Sequence, residues 1–233
     1  MAKKAQETLV TLLLDRSGSM ESCRSSTIEA YNDYVTGLKK SPTPIMFTFL
    51  QFDSQSLDKV HFEKAINDIP NLNMQGFVPR GMTPLVESAT KTIRALDEAI
   101  KKKKEKPKVV VAIQTDGYEN ASGPEYTWEA LKALIETKKN DGWQFNFLGA
   151  GIDAYDQAAK MGVHAGGTVS YDSSDPAKTR SAFVGLASNT AGYASGLAAT
   201  TDWNDQQKSD AGDQYFNTNE TNSKDVDLTS ATE

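Results

Sequence analysis

Three stretches of this chain are too continuously apolar to have a wet face. Residues 8–14 (TLVTLLL), Ile45–Phe52 (IMFTFLQF) and Lys108–Thr115 (KVVVAIQT) run through β-branched, aliphatic and aromatic residues with hardly a polar break. That is the pattern of strands buried on both faces of a parallel sheet, not of strands that alternate between core and water. Each run hands over to a carboxylate, Asp15, Asp53 or Asp116.

Parallel neighbours need crossover connections, and the intervening segments have the spacing to supply them. Ile28, Tyr31, Val35 and Leu38 recur at three and four within a helix expected over 22–38. Leu85, Ala89, Ile93, Leu96 and Ile100 mark a second helix, which Thr83 would cap and Pro84 would open. A short edge strand is expected at 59–62, and a loop at 67–82, where Pro70, Gly76, Pro79 and Gly81 supply turns. Further on, helix 127–139, strand 143–148, helix 154–161, strand 168–171 and a final helix from Asp175 through Leu197 follow in order. This alternation predicts an α/β fold, a doubly wound, mostly parallel central sheet flanked by helices, Rossmann-like in layout.

A chain of 233 residues can bury one sizeable core. Its 25 Lys and Arg against 31 Asp and Glu give a net charge of −6. The excess is local: residues 202–233 hold 8 acids and 2 lysines, so residues 1–201 balance at 23 against 23. We therefore expect a domain over 1–201 and an acidic, polar tail over 202–233, flexible or ordered on a partner and dispensable for folding. Trp203, Tyr215 and Phe216 are its exceptions, residues to fold back on the domain or to meet a partner. The acidic balance argues against nucleic acid, and the run Lys101–Lys104 is what a solvated last helical turn carries. A single cysteine, Cys23, a polar N-terminus and the lack of any 20-residue apolar run predict a soluble, cytoplasmic protein with no membrane partner.

The candidate chemistry lies where the strands end. Asp15-Arg16-Ser17-Gly18-Ser19 sets a carboxylate and two hydroxyls on alternate residues of a tight turn. A small dication such as Mg²⁺ takes oxygen ligands and keeps several waters, so it needs few protein groups. Alone, Asp15 and Ser17 would serve equally as caps for the helix that follows. Asp116 ends another strand on the same sheet edge, and Thr83 stands at the mouth of a crossover helix there. Two carboxylates and three hydroxyls thus converge from three loops. Around them, Arg16 is either a salt-bridging loop residue or a guard against second cations, and Glu119 either a solvated acid or an occupant of the metal's open position. Asp53 reads as a strand end. His61 and His164 pair with no soft site.

D-x-S-G-S at 15–19, G-M-T-P at 81–84 and T-D-G at 115–117, in that order and on those elements, resemble the von Willebrand factor A family. The similarity spans roughly residues 8–199 and suits a stand-alone bacterial or phage-encoded intracellular type. It implies a metal-ion-dependent adhesion site, with Ser17, Ser19 and Thr83 as direct ligands and Asp15 and Asp116 acting directly or through water on Mg²⁺, Mn²⁺ or Ca²⁺. It also implies that a Glu or Asp of a partner protein fills an open metal position, so that the chain is a non-enzymatic adaptor in a larger assembly. In integrin-type relatives the last helix moves when the partner's acid arrives, which here would involve residues 175–199.

Rival functions lack their parts. Neither histidine lies near a G-x-S-x-G elbow, an aspartyl-phosphate enzyme would want an acid where Ser17 stands, and Gly149-Ala150-Gly151 is only a fragment of a nucleotide-binding turn. A structural or assembly subunit with an incidental metal is the main alternative, and a metal-dependent phosphatase a lesser one.

Overall fold

A computed structural model of the chain describes residues 6–214. The sheet has six strands, β1 (Thr8–Asp15), β2 (Ile45–Phe52), β3 (Leu57–Ala65), β4 (Lys108–Thr115), β5 (Gln144–Ala150) and β6 (Thr168–Tyr171), in the order β3-β2-β1-β4-β5-β6. All neighbours are parallel except β2 and β3, so the expected doubly wound, mostly parallel sheet is present.

The alternation of side chains along β1 divides the core. Val10, Leu12 and Leu14 face one layer, where α1 (Arg24–Lys39) and α5 (Pro176–Ser195) bring Tyr31, Tyr34, Leu38, Phe183 and Leu186. Leu9 and Leu13 face the other, where α2 (Leu85–Lys101), α3 (Trp128–Asn140) and α4 (Ala154–Met161) bring Ile93, Leu96, Leu131, Ile135 and Met161. Both faces are covered, which is why β1 contains no exposed residue. From β1 the chain winds first toward β2 and later toward β4, so the winding reverses beside β1. In sheets of this kind ligands bind at such a reversal, where the loops leaving the C-terminal ends of β1 and β4 lie.

Three expectations need correction. The edge strand is longer than 59–62: β3 spans nine residues, antiparallel to β2 and bulged, with Glu63 at φ 45°. Its burial is patchy because one side is open, and that blurs the apolar pattern. Thr83 does not cap α2. The residue before the helix is Pro84, and its first turn is capped from a distance, with Val86 N–H donating to Glu119 Oε2 (2.7 Å) and Glu87 N–H to Ser122 Oγ (2.9 Å).

The third correction concerns the C-terminal segment, where packing continues beyond residue 201. Trp203 is buried, its backbone N–H donates to Gly166 O at 2.9 Å, and a short α6 (Asp205–Asp210) follows behind an Asn204–Gln207 capping box. Asp213 is fully buried and accepts from Tyr155 Oη (2.6 Å) and Ser170 N (3.1 Å). A domain boundary after 201 would cut through these contacts. Tyr215, Phe216 and the rest of the expected tail lie outside the described residues. Among the described residues no helix is long and apolar enough to cross a membrane.

Candidate metal centre

Asp15 is the last residue of β1, buried to zero exposure, with its carboxylate held from two directions. Ser17 N–H donates to Oδ1 at 2.7 Å, and the Thr115 hydroxyl at the end of β4 donates to Oδ2 at 2.6 Å. A chain of oxygens then leads outward: Ser17 Oγ lies 3.1 Å from Ser19 Oγ, and Ser19 Oγ donates to Asp116 Oδ1 at 2.7 Å. Ser17 is buried, Ser19 exposed and Asp116 half-buried, so the row runs from the sheet to solvent.

Thr83 joins this row from the third loop. A Cβ added to Gly117 would meet Thr83 Oγ1 at 3.2 Å and Ser19 Oγ at 3.7 Å, so the two hydroxyls flank the same backbone carbon. A side chain there would crowd the Thr83 hydroxyl, which would have to give by a few tenths of an ångström. Thr83 is fixed by Asn120 in both directions, its N–H donating to Asn120 Oδ1 (2.8 Å) and its carbonyl accepting from Asn120 N (3.1 Å). Because it caps nothing, its hydroxyl is left to the cluster. All five expected residues, Asp15, Ser17, Ser19, Thr83 and Asp116, are therefore neighbours.

The electrostatics set Asp15 apart. Burial pushes its carboxyl up to about 6, against the hydrogen bonds from Thr115 and Ser17, and the nearby Asp116 pushes the same way. Burial likewise raises Asp116, with the Ser19 hydroxyl opposing. Neither carboxylate has an ion pair among the described residues. Two raised carboxylates beside three hydroxyls make an all-oxygen donor set with unspent negative charge, which fits a hard dication. Among the described residues no group of three or more His, Cys, Asp or Glu could hold a metal, so any ion at this edge would rely on the hydroxyls.

The neighbours resolve as well. Arg16 is a salt-bridging residue, 2.6 Å from Asp53 and 2.8 Å from Asp58. Glu119 is neither a solvated acid nor turned to the cluster. Its oxygens accept from the N–H groups of Val86, Ala121 and Ser122 and from Ser122 Oγ. Asp53 does more than end a strand: it accepts from Arg16, Arg80 and the amides of Gln55 and Ser56. His61 packs on the ring of Phe49, and His164 pairs with Asp202 at 3.0 Å. Burial raises the Cys23 thiol at the start of α1. Sequence reasoning missed Thr115 and Asn120 as the groups that orient Asp15 and Thr83; a hydroxyl next to Asp116 on the strand opposite Asp15 was the available sign for the first.

No protein-family model matches the sequence. No curated protein matches it closely enough to count as a relative. Solved structures do resemble it. A von Willebrand factor type A protein from Catenulispora acidiphila superposes with a TM-score of 0.54 at 16% identity, over 80% of this chain and 43% of the other. Proximal thread matrix protein 1 from the mussel byssus, solved with a zinc-occupied MIDAS motif, gives 0.54 at 16% identity over 81% and 49%. Manganese-loaded TRAP protein from Plasmodium vivax gives 0.50 at 15% over 78% and 75%. The match thus spans about half the length of the first two proteins. The chain has the von Willebrand factor A fold.

Proposed function

We propose that the chain is a divalent-cation-dependent protein-binding module, not an enzyme. Asp15, Ser17, Ser19, Thr83 and Asp116 would hold Mg²⁺, or Mn²⁺ or Ca²⁺, and a Glu or Asp of a partner protein would bind there. The observation that carries this reading is Asp15, a fully buried carboxylate with no cationic side chain among the described residues and a proton affinity raised by burial. Such a group is costly unless a positive charge joins it. When bound, a dication supplies that charge and a Lewis-acidic site for an incoming carboxylate. The chain's own part is to orient the donors: Thr115 and the Ser17 amide fix Asp15, Asn120 fixes Thr83, and Ser19 holds Asp116 at the solvent side. Metal occupancy in solved structures of the same fold, zinc in the mussel protein and manganese in TRAP, supports the reading.

Within that reading the chain acts as an adaptor in an intracellular assembly. Immobilised protein should capture its partner in Mg²⁺ and release it in EDTA, and Thr83→Ala should capture none. Full retention in EDTA and in Ser17→Ala would favour an assembly subunit whose metal is incidental.

A further inference from the structure

We propose that Asp53 is a positioning residue for the candidate metal centre, one that fixes the Ser17–Ser19 loop against the Thr83 loop; this rests on the metal reading above. Two of the three pairings between the site loops are made by their own donor groups, since Ser19 and Thr115 connect the 15–19 loop to the end of β4, and Asn120, in the loop after β4, connects to Thr83. The contact between the 15–19 loop and the 80–83 loop is made differently. Their backbones touch through Arg80 N–H to Arg16 O (2.8 Å) and Gly18 N–H to Gly81 O (3.1 Å), and both loops rest on the turn that follows β2.

Asp53 builds that turn and clamps both loops to it. Its Oδ1 accepts from the amides of Gln55 (2.7 Å) and Ser56 (3.0 Å), which shapes the turn. Its Oδ2 accepts from Arg16 Nε at 2.7 Å and from Arg80 Nε at 3.0 Å, one arginine from each loop. The turn then reaches the Thr83 loop directly, with Ser54 N–H donating to Met82 O (3.0 Å) and Met82 N–H to Ser54 Oγ (2.9 Å). Gly81 sits on it at φ 69°, where an added Cβ would lie 2.5 Å from Ser54 Oγ, so a side chain there would be strained and would press on the turn. The Asp53 side chain is wholly buried, and its two oxygens divide the work between shaping the turn and holding the loops.

The test is Asp53→Asn, which keeps the shape and one carbonyl oxygen while removing the charge that holds both guanidiniums. Mn²⁺ affinity of the folded protein, followed by paramagnetic resonance, should fall about tenfold or more, as for other groups that orient metal ligands. In EDTA, amide hydrogen exchange over 80–83 should speed up in the variant while the helices keep their protection. A residue that only stabilised the fold would lower the melting temperature and leave Mn²⁺ affinity unchanged, which would overturn the proposal. If wild type binds no Mn²⁺, the metal reading fails, and unaltered exchange over 80–83 then overturns the positioning role too. Should Asp53→Asn not fold, Arg80→Gln, at a half-exposed side chain, carries the same two readouts with a smaller change.

Discussion

The ends of β1 and β2 lie side by side, Asp15 opposite Phe52, and each delivers a buried aspartate to the same sheet edge. Their charges are treated in opposite ways. Burial pushes Asp53 up, but the Gln55 amide and the Arg80 and Arg16 guanidiniums outweigh it and hold the carboxyl below its usual range. Asp15 is given an amide and a hydroxyl only, and its carboxyl rises to about 6. Both side chains are hidden from solvent, but Asp15 lies the deeper of the two and has no guanidinium beside it, so depth and partners together separate them. One aspartate is complete within the protein, and the other, on the proposed reading, is left for an ion to complete.

Removing each carboxylate should break this comparison most visibly. Asp53→Ala takes from the buried Arg16 one of its two carboxylates and leaves the Gln55 and Ser56 amides without their acceptor, and equilibrium unfolding should show a loss of about 3 kcal/mol. Asp15→Asn should do the reverse in EDTA. The interval between 3.8 unfolded and about 6 folded means that ionised Asp15 opposes folding at pH 7 by up to about 3 kcal/mol, so the variant should melt above wild type. The sign follows from the raised value. Its stabilising share is full below 3.8 and is lost as pH rises through about 6, so wild type should overtake the variant's advantage as pH falls toward 4. Asp53, held low, contributes above its unfolded value and loses that share as pH falls through its folded one. A pH profile in EDTA with the two aspartates moving in the same direction would contradict the contrast.

The smallest effect concerns Glu119, another acid at this edge, which serves the N-terminus of α2. Glu119→Gln should cost about 1 kcal/mol of stability, the scale of a helix cap, and leave the gain from Mg²⁺ unaltered. A larger gain in the variant would instead mean that Glu119 competes for the ion.

What the sequence disclosed and what it concealed follow the same physics. Strands β1, β2 and β4 were legible because burial on both faces leaves no polar residues to interrupt the run, and the three oxygen-bearing loops were legible because they begin where those runs stop. Asp53 was visible as a strand end only, since its partners lie up to 37 residues away and no periodicity links Arg16 to it. Thr83 followed by Pro84 looked like a helix start by local preference, yet the capping acid comes from Glu119 across the fold. The segment after residue 201 is poor in apolar residues, and it is attached through the Trp203 indole, Lys208 on Ala165 O, the Asn189–Gln207 amide pair and the buried Asp213. The Asn204–Gln207 spacing was a readable sign of α6 that net acidity masked.

Thermal unfolding at pH 7 with and without Mg²⁺, in wild type, Asp15→Ala and Thr83→Ala, tests most directly whether the oxygens at the ends of β1 and β4 and before α2 act together on one ion. Mg²⁺ should raise the melting temperature of wild type and leave both variants where EDTA leaves them. An equal rise in all three proteins would place the ion elsewhere and contradict the account.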